Sequence, residues 1–347
     1  MLALRDACLV ATEETGKQLW GPARFAEYRV ALDAPAPLAA GVLEPGVVRF
    51  GLGPLTEVIA QHHAFAALEP HLDAAVAPIV AQERVLRGED LRDRQPDGRE
   101  GFALDPFAPP LTLTPFEPAY VLPTYGPDER LDGDPTVLAR RVEHGEVAPV
   151  RPTDASSAGA ARRTLAALGD LVTEWTSRSS GRVRSAACIG SASDALARVV
   201  DAPARWWRLA LPDLLAELAR AGASGGVHGR RRGGAAGRAG AWWVGTVATG
   251  LDRGAGMDPD ELEFRMEDLE LVGFEVLGAP RAAWRLGVAL ADPAAGWAVA
   301  IEATDDGDAD GDADGERAAA RADDDGDTDA GGRAARHAAE EARRGSE

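Results

Sequence analysis

The sequence predicts an α+β fold: mixed helices and strands, a C-terminal antiparallel hairpin and a disordered acidic tail. Three observations predict it. Helical periodicity and strand-like alternation are interspersed along the chain. Two alternating runs near residue 300 are joined by the short turn sequence "DPAAG". Beyond Asp305 there is no Val, Leu, Ile or aromatic residue at all.

Residues 1–101 form the first part. Helical patterns cover 1–20 and 54–88, with strand-like "ARFAEYRVAL" (23–32) and "GVVRFGL" (46–52) between them. Residues 102–135 form the second. Seven of the 23 prolines fall between Pro106 and Pro127, with Phe102, Phe107, Phe116, Tyr120 and Tyr125 interleaved. That proline density forbids helix and interior strand. The aromatic residues each need a surface, so the segment is expected to run extended across the body and to line a groove.

Residues 136–304 form an α/β part. "ARRTLAALGDLVTEWTSR" reads as helix, "GRVRSAACIG" as strand and "SASDALARVV" as helix. "RWWRLAL" then reads as strand and "PDLLAELARAG" as a helix with Pro212 in its first turn. After a helix near "PDELEFRMEDLE" come the alternating sets Trp284, Leu286, Val288, Leu290 and Trp297, Val299, Ile301. They make an antiparallel hairpin with one buried face. Residues 305–347 hold 15 acids and 6 arginines and no apolar surface beyond alanine, so nothing offsets the entropy of ordering them.

The formal net charge is -19, the only lysine is Lys17 and asparagine is absent. A GC-rich genome explains the arginine bias but not the acid excess. An acidic, lysine-poor surface fits a salt-rich cytoplasm, where salt screens self-repulsion. No apolar run approaches the roughly 20 residues of a membrane span, and Arg5 and Asp6 interrupt any export signal. A soluble cytoplasmic protein of a halophile is expected, with no membrane partner. Cys8 and Cys188 form no motif and read as buried thiols.

One stretch stands against the charge balance: "VHGRRRGGAAGRAGAWWVG", residues 227–245. Small residues recur every fourth position at Gly229, Gly233, Gly237, Ala241 and Gly245, so a neighbouring backbone can approach one helix face. The apolar part suits a core helix. Arg230, Arg231 and Arg232 then lie at or before its N-terminus, where three cations oppose the helix dipole unless an anion joins them. That anion is either a carboxylate of the protein or a ligand phosphate. Arg238 lies four residues from Trp242, within reach of guanidinium–indole stacking.

Other signals are weaker. "EETGKQLW" lacks the spacing of a phosphate loop, and Thr56 replaces the glycine a dinucleotide fingerprint needs after Gly51 and Gly53. His62, His63 and His71 miss paired metal-ligand spacing. "GSASD" lacks the second glycine of a nucleophile elbow. In "DDGDADGDADGER" the twelfth loop positions are Arg317 and Arg321 rather than the Glu that calcium needs. No cofactor or metal is therefore expected.

Three functional readings remain. The first is a non-catalytic binder of a phosphorylated small molecule or a nucleic acid, through Arg230, Arg231, Arg232, Arg238 and Trp242. The second is an enzyme with a cleft under the proline–aromatic segment, where Asp105, Glu117 and Asp128 are available. The third is an assembly partner docking through Phe107, Phe116, Tyr120 and Tyr125.

Overall fold

The computed structural model describes residues 1–44, 52–94, 105–132, 143–149, 159–278 and 282–307. Helices come first: α1 (Leu2–Thr15), α2 (Trp20–Asp33), α3 (Ala36–Ala40), α4 (Leu55–His62), α5 (Phe65–Leu68) and α6 (Ala77–Leu86). The strand expected over 23–32 is instead helix α2. Its buried residues include Ala23, Ala26, Glu27, Val30 and Ala31, the three-and-four spacing of a helix face rather than the alternation of a strand. The single helix expected over 54–88 is broken into α4, α5 and α6. The chain turns to extended geometry at His63, and Pro70 and Pro78 each sit in the first turn of a new element, where a missing N–H costs nothing. The strand expected at 46–52 lies outside the described residues except for Leu52.

The proline–aromatic segment holds no helix among its described residues, in keeping with its prolines; turns at Asp105–Ala108 and Thr114–Glu117 precede the two-residue strands β1 (Thr124–Tyr125) and β2 (Arg130–Leu131). It is pinned to the body along its length. Gln82 on α6 donates to the Pro109 carbonyl at 2.7 Å, and Leu91 N–H donates to the Leu111 carbonyl at 2.8 Å. Leu111 is buried in the N-terminal helical core and Phe116 in the larger core beyond it.

There follow β3 (Glu143–Val147), α7 (Gly159–Leu171), α8 (Thr173–Ser177), β4 (Arg182–Ile189), α9 (Ala192–Val199) and β5 (Ala204–Arg208). Then come α10 (Leu211–Ala223), α11 (Gly234–Ala248), α12 (Pro259–Glu267), β6 (Glu270–Val276), β7 (Trp284–Asp292) and β8 (Trp297–Asp305). The six longer strands form one sheet in the order β3-β5-β6-β7-β8-β4, and every pairing is antiparallel. The α/β order of the middle region therefore builds no parallel sheet among the described residues, and the fold is α+β. Ser191 and Asp194 of "GSASD" form a capping box at the start of α9, which accounts for that motif structurally.

The C-terminal hairpin forms with Asp292 opposite Trp297. Its turn is held by the Asp292 carboxylate, which accepts from Ala295 N–H at 2.8 Å. Leu286, Val288, Leu290, Trp297, Val299 and Ile301 face α7 and α10. The opposite face is buried too: Ala289, Ala291, Ala298 and Ala300 pack beneath α9. One buried face is what alternation predicts, but a row of alanines reads as polar-side filler until a helix is seen lying on it. The adjacent tryptophans of β5 point to opposite sides, as a strand demands: Trp206 packs with the α9 core and Trp207 lies over Gly273 of β6.

Met1–Asp306 cluster as one unit. Asp305, placed in the tail by composition, is the buried last residue of β8 and accepts from the Ser179 and Ser180 hydroxyls at 2.6 and 2.8 Å. The tail from residue 308 lies outside the described residues. Among the described residues no helix is long and apolar enough to cross a membrane.

Candidate functional site: the arginine loop and the cleft beside it

Helix α11 packs against α10 at very short range. A Cβ on Gly237 would meet the Ala219 carbonyl oxygen at 2.1 Å, so only glycine lets the two backbones come this close. That contact fixes the N-terminus of α11 and the arginines around it. The stripe of small residues thus serves helix packing at Gly237 and Ala241.

Arg231 turns inward. Its Nε and Nη2 donate to Glu57 Oε2 and Oε1, both at 2.8 Å. Glu57 also accepts the Gly234 N–H at 2.7 Å and the Tyr125 hydroxyl at 2.5 Å, and it is fully buried. A second buried carboxylate, Glu83, accepts the Ala235 N–H at 2.8 Å and faces Arg87 Nη1 at 3.2 Å. The anions at this helix N-terminus are therefore two side chains of α4 and α6. Burial pushes the Glu57 pKa up, but the Arg231 hydrogen bonds and charge outweigh it and hold the group below the usual carboxylate range. Glu83 lacks such a partner. Its burial, with the Glu57 charge beside it, raises its pKa to about 7.

Arg238 is buried completely, against an equally buried Glu117. Nε and Nη2 each donate to Glu117 at 2.7 Å, Nη1 donates to Gln82 Oε1 and the Pro110 carbonyl, and Nη2 donates to the Thr112 carbonyl. All five guanidinium N–H groups are thereby matched. Trp242 Nε1 and the Tyr120 hydroxyl donate to the same carboxylate at 2.9 and 2.8 Å. Arg238 also lies over the Trp242 ring, 5.8 Å from its centroid. The ligand roles read for Arg238 and Trp242 are thus corrected: their polar groups are consumed inside the protein. Arg232 is exposed, with a 3.4 Å contact to the Asp170 carbonyl. Arg230 is half-buried; burial lowers its pKa, with Arg24 and Arg178 nearby adding to the effect.

The carboxylates considered for catalysis do not converge. Glu117 is spent on Arg238, while Asp105 and Asp128 are exposed, and Asp105 caps its own turn through Phe107 N–H. The aromatic residues considered for docking face the body. Phe116 and Tyr125 are buried, Tyr120 is tied to Glu117, and Phe107 packs edge-on to Trp243. The turn at Gly53, read as a faint phosphate-loop signal, gives passage to Tyr125, whose hydroxyl would lie 2.1 Å from a Cβ there. Among the described residues no group of three ligand-type side chains converges as a metal site.

Beside Arg231 lies a cavity of about 290 Å³. Tyr120–Pro123 of the crossing segment roofs it, α10 supplies Ala216, Glu217 and Arg220, and Trp284 of β7 closes one side. Arg220 donates to Glu217 at 2.8 Å and to the Arg285 carbonyl at 2.6 Å, and stands over the Trp284 ring. Its Nε is buried without a hydrogen-bond partner among the described residues. The Nη1 group of Arg231 has none among them either.

A family model described as "Family of unknown function (DUF6183)" matches residues 24–307. The chain belongs to that family. The DUF6183 region includes both buried Arg–Glu clusters and every residue of the cavity. No curated protein and no solved structure matches the chain.

Sequence reasoning missed Glu57, Glu83, Arg220 and Trp284 as site residues of this region. Glu57 carried a usable signal: it sits beside Val58 and Ile59 in an otherwise apolar helical turn, and a carboxylate there requires a buried partner. Arg220 carried none, since an i, i+3 pair with Glu217 is an ordinary feature of an exposed helix face.

Proposed function

We propose that the chain binds a small organic anion, carrying a carboxylate, sulfonate or phosphate on a compact apolar body, in the cleft under the crossing segment. The observation that carries this reading is the pairing of two guanidinium groups, Arg231 and Arg220, on one cavity, each with N–H capacity left over. Arg220 Nε is buried without an acceptor, which is unfavourable by roughly 1–3 kcal/mol, and a bound oxyanion removes that cost. Leu122, Pro123 and Trp284 give the wall apolar area, and the carboxylates of Glu217, paired with Arg220, and Asp132 also stand on it. The volume lies just below the roughly 300–1,000 Å³ of small-molecule sites, which favours a single phosphorylated molecule over a nucleic-acid strand.

Calorimetric titration with benzenesulfonate and phenyl phosphate tests it. Saturable binding is expected, weakened about tenfold or more by Arg220→Ala, the loss of one charge-assisted contact. A short single-stranded oligonucleotide should bind no better than a mononucleotide. Absence of binding by both aromatic anions, or binding indifferent to Arg220→Ala, would sink the reading.

A further inference from the structure

Two buried carboxylates meet at the N-terminus of α11, and their partners are unequal. Glu57 has a bidentate guanidinium, a backbone N–H and a tyrosine hydroxyl. Glu83 has one backbone N–H and a single 3.2 Å contact from Arg87. The charged groups facing Glu83 come from three elements: Glu57 from α4, Arg87 from the end of α6 and Arg231 from the loop before α11. Tyr125 of β1 reaches only Glu57. Helix α11 presents backbone N–H groups. Of the two carboxylates, Glu83 is the one that geometry leaves readier to take a proton.

Arg231 belongs both to this cluster and to the cavity wall. We propose that an anion entering the cavity binds together with one proton, taken from solvent onto the Glu83 carboxylate. The inference rests on the cleft reading above. An anion against Arg231 cancels part of the positive field that this guanidinium exerts on Glu83. The protonated form of Glu83 then gains relative to the ionised form. By linkage, an anion that raises proton affinity binds more tightly as pH falls. The position of the Glu83 pKa near 7 places the effect in the neutral range. The device makes the site's occupancy respond to pH without any titrating group on the ligand.

Benzenesulfonate tests this because it keeps its charge throughout the range. Its affinity is measured at pH 6, 7 and 8, in pairs of buffers with different ionisation enthalpies. For wild type the affinity should fall about fivefold from pH 6 to pH 8, the change expected when the Glu83 pKa rises by one unit, from about 7, on binding. The heat should vary with the buffer, reporting net proton uptake. Glu83→Gln should bind equally at pH 6 and pH 8 and show no buffer dependence. Wild-type binding that is flat in pH with buffer-independent heats overturns the proton coupling and leaves the cleft reading standing. Retention of the wild-type slope in Glu83→Gln also overturns it, because the proton then goes elsewhere. Failure to bind at any pH overturns the cleft reading itself. Should Glu83→Gln not fold, flat and buffer-independent wild-type binding still overturns the proposal, and Glu83→Asp, which keeps the carboxyl group, should retain the pH slope.

Discussion

Arg238 on α11 and Glu117 in the crossing segment face each other as a bidentate pair, at 2.7 Å through both oxygens, with neither side chain exposed. A second pair, Arg231 with Glu57, repeats the arrangement seven residues earlier, and each cluster includes a tyrosine of the crossing segment. The segment is therefore held by polar clamps as well as by apolar packing. Removing one partner of such a pair strands a buried charge. Glu117→Gln and Arg238→Met should each cost about 3–5 kcal/mol in urea unfolding. Arg238→Met combined with Glu117→Leu should cost less than the two single changes added together. Strict additivity would count against the pair as a coupled unit.

The three consecutive arginines should separate by burial. Arg231→Gln leaves Glu57 without its cation, and its stability should fall by about 3 kcal/mol or more. Arg232→Gln, on an exposed side chain with one long contact, should stay within about 0.5 kcal/mol. Equal effects at the two positions would contradict the internal role of Arg231.

Two helical glycines make an opposed pair. Gly237→Ala drives a methyl into the Ala219 carbonyl and should destabilise by more than about 2 kcal/mol as α10 and α11 separate. A Cβ added to Gly169 on α7 would meet nothing within 4 Å, so Gly169→Ala should stabilise by roughly 0.5–1 kcal/mol. Thermal melts of the two variants read both signs.

Stability should depend on pH in two opposing ways. Glu83 binds its proton more tightly folded than unfolded, because its pKa is raised to about 7. Its contribution therefore falls as pH rises from the usual carboxylate range to about 7, then levels off. Glu57 and Glu117 have lowered values, so theirs is present at neutral pH and lost as pH falls through the carboxylate range. Glu83→Gln should accordingly gain on wild type as pH rises from 5 to 7, with a slope approaching about 1.4 kcal/mol per unit. A stability difference constant over that interval would show that Glu83 does not titrate there.

Much of the architecture was legible because it rests on local rules. Pro212 opens α10, and "DPAAG" turns the hairpin between residues that alternate. The strand expected over 23–32 fails for a physical reason. Aromatic and β-branched residues favour strand locally, while burial against neighbouring helices selects the three-and-four spacing of α2. In the cleft, the arginine loop stands out through composition alone, but nothing local marks Arg220 or Trp284 as its neighbours.

By itself the sequence determined the element types over most of the chain, the acidic balance, and the conflict of three arginines placed before a helix N-terminus. Periodicity, turn chemistry and charge depend on near neighbours, so they can be read along a line. Only the tertiary structure decided which anions resolve that conflict. Glu57 and Glu117 lie 174 and 121 residues from Arg231 and Arg238, and folding alone brings them to 2.8 and 2.7 Å. A guanidinium looks the same in sequence whether it awaits a ligand or a distant carboxylate. Desolvation and the count of matched N–H groups distinguish the two, and both are properties of the packed chain.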